Sequence, residues 1–140
     1  MRRSTMKMVG PRVARVLAVV AVAASMGACA PRYDGFECEE LNETPSGSLC
    51  TDRRIEVAQG EALVVRLAPR SDSRTEYEGA QVELRSVEPQ IADVRAGVGG
   101  DQTIIGLSLG ETTLEVWVDG ALESDVPVRV LPSRPSVGRD

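Results

Sequence analysis

No histidine occurs among the 140 residues of this chain. That absence excludes a Ser-His-Asp triad, a Cys–His nucleophile pair and histidine metal ligation. Aromatic residues are scarce as well: one Phe, two Tyr and one Trp. A core must then be assembled from Val, Leu and Ile, whose branched side chains suit the pleated surface of a strand. With only three cysteines and no histidine, the ligands for a zinc site are too few. The glycine-rich run AGVGGDQ, Ala96 to Gln102, lacks the lysine and the following helix of a phosphate-binding loop, and reads as a hairpin connection. No internal repeat is visible, so the chain is one module and not an array. Carboxylates are plentiful, but they fall at outward strand positions and in turns, where a solvated surface explains them better than a glycosidase pair. Asp72, Asp101, Asp119 and Asp125 could gather at the ends of the fold and offer oxygens to Ca²⁺, although no EF-hand spacing supports this. No catalytic residue, metal site or cofactor is assigned.

What the chain does have begins at its N-terminus. Arg2, Arg3, Lys7, Arg12 and Arg15 precede an uncharged run, and no acidic residue occurs before Asp34. A basic segment, a short apolar segment and small residues at its end are the parts of an export signal. The uncharged run, Val16 to Ala30, is shorter than the roughly 20 apolar residues that a membrane-spanning helix needs. Its last residues, Met26-Gly27-Ala28-Cys29, resemble the lipobox of bacterial lipoproteins, with Met26 where the family usually has Leu. The resemblance implies cleavage before Cys29 and attachment of diacylglycerol to its thiol. Several acyl chains on one residue make a stable anchor where one would be marginal. The alternative is an ordinary signal cleaved near Ala28 or Ala30 with an incidental cysteine. If the envelope is Gram-negative, Ala30 in place of Asp after the cysteine favours the outer membrane.

Removal of residues 1–28 takes five of the 16 basic residues and none of the 21 acidic ones, leaving a net charge of −10. An acidic exported domain does not suit nucleic acid or anionic lipid, both of which need a basic surface. Cys38 and Cys50 then form an even pair in an exported protein, where disulfides persist; free thiols are the alternative. The segment between them, EELNETPSGSL, holds Pro45 and Gly47 and turns back easily. Its Asn42 heads a glycosylation sequon that reads as chance. By composition the chain divides into a leader, residues 1–28; a lipid-anchored polar tether stapled by Cys38–Cys50, residues 29–53; a folded domain, 54–131; and a loose tail, 132–140.

The folded part has a period of two, the mark of strands with one buried face. Leu63, Val65 and Leu67 alternate with Val64 and Arg66; Leu114, Val116 and Val118 alternate with Glu115 and Trp117; Val126, Val128 and Val130 alternate with Pro127 and Arg129. Shorter candidates are Arg54–Val57, Gln81–Ser86, Ile91–Arg95 and Gln102–Leu107. Glycine-containing turns separate them, and Asp119-Gly120 is a hairpin signal because glycine accepts the positive φ of a primed turn. No window shows a convincing helical period. Seven short strands predict an all-β, Ig-like antiparallel β-sandwich. Pro127, lacking an N–H, predicts that its strand lies at or near a sheet edge.

A second resemblance rests on the stretch Arg85 to Gly120. Ser86, Pro89, Ile91, Ala92, Val94, Gly106, Leu107, Gly110, Thr112, Thr113, Leu114 and Val116 follow the order and spacing of the bacterial Ig-like domains of group 2, found in intimin- and invasin-type surface proteins. The resemblance covers roughly Arg54 to Leu131. It departs where the family often has tryptophan and this chain has Leu84.

Trp117 stands out as a candidate binding residue. If Leu114 faces the core, Trp117 lies on the outer face beside Glu115, where an indole can stack on a sugar ring or anchor a partner protein. The alternative is that it is covered by a loop, or that a bulge flips its parity. Together these features read as a non-enzymatic, lipid-anchored envelope module making protein or polysaccharide contact, held to the membrane through Cys29. A second reading is an accessory subunit of a larger envelope complex, with a free sheet edge accepting a strand from its partner. An enzyme or a Ca²⁺-dependent binding module is the remaining class.

Overall fold

The computed structural model describes residues 31–71, 77 and 79–135. The leader, Cys29, Asp72 and the last five residues of the tail lie outside the described residues. Among the described residues nine strands form two sheets. They are β1 (Tyr33–Glu40), β2 (Leu49–Cys50), β3 (Ile55–Ala58), β4 (Ala62–Ser71), β5 (Val82–Ser86), β6 (Ala92–Ala96), β7 (Gln102–Gly106), β8 (Gly110–Val118) and β9 (Ala121–Leu131). One sheet has the order β1-β4-β7-β6 and the other β2-β3-β9-β8-β5. All pairings are antiparallel except β3 with β9, which is parallel. The orders β4-β7-β6 and β9-β8-β5 reproduce the two sheets of an immunoglobulin-type sandwich.

All seven strands expected from the alternation are present, with the expected faces inward. Leu63, Val65, Leu114, Val116, Val126 and Val128 are fully enclosed between the sheets, joined by Ile55, Val57 and Ile104. Enclosing each such side chain contributes about 1.5–3 kcal/mol relative to leaving it in water. At the end of β8, Asp119 and Gly120 both have positive φ, 49° and 80°, as a primed hairpin turn requires.

Two positions differ from the sequence reading. The folded body begins at Tyr33, not at Arg54: much of the segment read as a tether is the outer strand β1, paired along β4, followed by β2 on β3. Phe36 from β1 is 2% exposed and belongs to the core, with Cys38 packed against it. The alternation of Phe36 and Cys38 with Glu37 and Glu39 is short, and a register shift interrupts it between Tyr33 and Phe36, which hides it in the sequence. Gly35 lies within that shift at φ +105°; a Cβ there would collide with the Asp52 carboxylate, so only glycine fits without displacement.

Pro127 is the second difference. Its strand, β9, is the middle member of five and not an edge. The Thr113 carbonyl accepts from the Val87 N–H on the far side of β8, so Thr113 takes no ladder bond with its partner Pro127. The proline nitrogen therefore points toward β3, whose ladder starts one residue later at Ile55–Val128. The missing N–H falls where no acceptor waits, which is the requirement that the edge argument expressed.

The seams between the sheets are closed from both sides. Cys38 on β1 and Cys50 on β2 form a disulfide with Cα atoms 5.9 Å apart, joining one sheet to the other. At the opposite seam Gln102, on β7 and 4% exposed, reaches across to β5. Its amide oxygen accepts from the Leu84 N–H at 2.7 Å, and its amide nitrogen donates to the Val82 carbonyl at 2.7 Å. A side-chain amide thus takes the place of a neighbouring strand on the outer edge of β5. Asn42 does the same beyond the end of β1, accepting from the Val64 N–H at 2.7 Å and donating to the Ala62 carbonyl at 2.9 Å. The sequon residue is used to prolong a ladder.

Candidate binding cleft beside Trp117

Because Leu114, Val116 and Val118 face the core, β8 must present Glu115 and Trp117 on its outer face. The register with β5 sets Glu83 opposite Trp117 and Arg85 opposite Glu115. Alternate residues of two strands thereby bring two carboxylates, a guanidinium and the indole onto one surface. A bulge does occur at this point in the β8–β9 pairing, but Trp117 keeps its outward parity. The indole N–H donates to Glu115 Oε2 at 3.0 Å. The Arg85 guanidinium carbon lies 4.2 Å from the ring centroid, a cation–π contact, while its Nε donates to Glu83 Oε1 at 2.9 Å. The hydrogen bond from Arg85 lowers the Glu83 carboxyl below its ordinary range, and the Glu83 carboxylate raises the already high Arg85 value. Glu83 is paired with Arg85, Glu115 accepts from the indole N–H, and the two contacts orient the indole.

Trp117 borders a cleft of about 690 Å³ at the end of the sandwich where the β6–β7 connection, the β8–β9 turn and the start of β5 meet. Arg66 projects outward from β4 between the core residues Val65 and Leu67, and is held by Asp101 of the β6–β7 connection with Nε–Oδ1 2.9 Å and Nη2–Oδ2 3.3 Å. Asp119, in the primed turn, accepts from the Gln81 N–H at 3.1 Å and so ties the turn to the entry of β5. The buried Gln102 borders the cleft behind these groups.

The structure thus brings Trp117, Asp101 and Asp119 around one cleft. Asp125 stands opposite Glu115 on β9, outside the cleft lining. Among the described residues no group of three or more Asp, Glu, Cys or His could hold a metal ion. Cys38 and Cys50 lie at the β1–β2 seam and serve the fold. Sequence reasoning missed Arg85, Glu83, Arg66 and Gln102. Gln102 had a signal: it shares parity with Ile104, so a polar side chain was due at an inward position, and such a residue must find buried partners. Arg85 had none, because its role depends on which strand lies beside β5.

No family model matches the chain, and no curated protein matches it. Among solved structures, the surface-layer protein SbsC, domains 1–6, is similar over 78% of this chain with a TM-score of 0.53 and 19% identity. The S-layer protein rSbsC(31-844) matches over 76% with a TM-score of 0.51 and 20% identity. This chain spans 14% of either structure. A likeness at that identity establishes a shared sandwich fold.

Proposed function

We propose that this chain is a non-enzymatic surface module, fastened to the cell envelope by lipid on Cys29, that makes contact with protein or polysaccharide. The observation that carries the reading is a stapled two-sheet body, alike in fold to domains of a surface-layer protein, that begins four residues after a lipobox cysteine. The order of motifs from Ser86 to Val116 supports a group 2 bacterial Ig-like domain. The absence of histidine and the outward, paired placement of the acidic side chains support a role by contact over one by reaction.

Four residues reach at most about 14 Å when extended. The anchor would therefore hold the body close to the membrane by the end at which β1 starts. Tyr33 is paired with Ser71 at the end of β4, so that is also the end carrying the cleft. The reading is tested by metabolic labelling with an alkyne palmitate analogue followed by envelope fractionation. Label and membrane association in the wild type, both lost in Cys29→Ala, are the expected result; label persisting in the variant overturns the anchor.

The accessory-subunit reading draws on the opposite end. Val87, Leu107 and Leu109 are 56%, 46% and 54% exposed in the β5–β6 and β7–β8 connections. Crosslinking in whole cells through these three positions separates the two: one stoichiometric envelope partner supports the accessory role. Strand addition at β5 is disfavoured as its route, since Gln102 occupies the Val82–Leu84 edge.

A further inference from the structure

The geometry points to the cleft beside Trp117 as a site for an uncharged oligosaccharide. This deepens the surface-module reading and rests on it. Its volume, about 690 Å³, lies within the range of small-ligand sites.

The lining decides the ligand class by elimination and by fit. Among the described lining residues, three carboxylates, Glu83, Asp101 and Asp119, stand with one guanidinium, Arg66. A phosphate or sulfated chain would meet a net negative described lining whose cation is already bound to Asp101. A cationic ligand would meet one carboxylate outside an ion pair, Asp119, because Glu83 is paired with Arg85 and Asp101 with Arg66. An aliphatic ligand would have to strip water from these charged groups without replacing their hydrogen bonds.

What remains is a neutral molecule that offers hydroxyl donors and acceptors along with a C–H face. Carboxylate oxygens of Asp101 and Asp119 accept from hydroxyls, and Arg66 retains N–H groups to donate. The glycines at 97, 99 and 100 remove side chains from one wall, so a ring can approach the peptide groups there. Trp117 completes the set. Arg85 lies over the indole from outside the lining, and Trp117 itself borders the cleft, where it can offer an apolar surface to the sugar. The Glu115 hydrogen bond and the Arg85 contact hold the indole in place before the ligand arrives, which limits the ordering cost of binding.

Trp117 is the only tryptophan in the chain, so its fluorescence reports on this cleft alone. The experiment uses the full chain, purified in a detergent without a sugar headgroup. It is titrated with cello- and N-acetylchito-oligosaccharides of four to six units, with a heparin tetrasaccharide and spermidine as charged probes. A saturable emission shift with at least one neutral oligosaccharide is expected, together with amide shifts in residues 79–83 and 97–102 by NMR. Trp117→Ala, followed by NMR, weakens that binding roughly tenfold. Asp119→Asn, which keeps the turn and its hydrogen-bond acceptor, weakens it as well and covers the case in which the tryptophan variant misfolds. No response to any neutral oligosaccharide at 20 mM overturns the proposal, as does saturable binding of heparin or spermidine alone. Running the titration on Cys29→Ala in parallel separates the two claims. Label that persists in Cys29→Ala with binding intact removes only the anchor claim, and label lost as expected with no oligosaccharide bound by either protein removes only the cleft claim.

Discussion

Replacing Gln102 by leucine tests how the second seam of the sandwich is held. The side chain is 4% exposed and satisfies two backbone groups of β5, the Leu84 N–H and the Val82 carbonyl, each at 2.7 Å. Leucine is of similar size but has no polar atom. Each backbone group left enclosed without a partner costs about 1–3 kcal/mol, so the gross loss is about 2–6 kcal/mol. The added apolar side chain offsets about 1–2 kcal/mol of this. At mid-range values a net destabilisation of about 2.5 kcal/mol remains, a large share of the 5–15 kcal/mol typical of a domain. For a body of this size the midpoint of thermal unfolding should fall by roughly 10–20 °C. The freed edge of β5 should also make the variant prone to self-association, since an unpaired strand edge is a template for another chain.

Gln102→Glu sharpens the test. A protonated carboxyl can accept from the Leu84 N–H and donate to the Val82 carbonyl, whereas a carboxylate can only accept. Burial and the lost donor raise the folded-state pKa of the introduced group above its unfolded value. A raised value means that the folded state binds the proton more tightly, so the variant's stability is greatest below the unfolded pKa and declines as pH rises through the folded one. Urea unfolding at pH 4 and pH 7 should therefore show a larger deficit against wild type at pH 7. A Gln102→Leu variant within 0.5 kcal/mol of wild type, or a glutamate variant with no pH dependence of its own, would refute the edge-bridging role.

Two further outcomes follow from other parts of the structure. Cys38 and Cys50 close a loop of sequence separation 12, so the double alanine variant should lose about 3 kcal/mol on the chain-entropy model, read as a fall in the urea midpoint and matched by adding reductant to wild type. Glu83 should titrate below the ordinary glutamate range in carboxyl-detected NMR and return to it in Arg85→Ala; its contribution to stability, small at so exposed a site, is present above the unfolded pKa and lost as pH falls through the folded one.

Much of this molecule is written in its alternation. Leu63, Val65, Leu114, Val116, Val126 and Val128 declare their inward faces by spacing alone, because side chains of an extended chain must point to opposite sides in turn. Asp119-Gly120 declares its hairpin through a dihedral preference that belongs to two residues. Cys38 and Cys50 could be paired because export and an even count leave few other partners. Trp117 could be placed outward on the same parity that enclosed its neighbours.

Neighbour relations were decided elsewhere. β1 was read as a tether because its apolar content is one Phe and one Cys around a register break; it becomes a strand only when β4 lies alongside. Pro127 was placed near an edge because a missing N–H requires an unpaired flank; the staggered start of β3 supplies that flank in the middle of a sheet. Gln102 bonds across the sandwich to residues 18 and 20 positions away, and Arg85 stacks on an indole 32 positions away. Facing and turning are local properties of a polypeptide, and sequence alone determined them here. Which edge is covered, which charge is neutralised and where a cleft opens depend on contacts between distant segments, and these exist only once the two sheets have closed on each other.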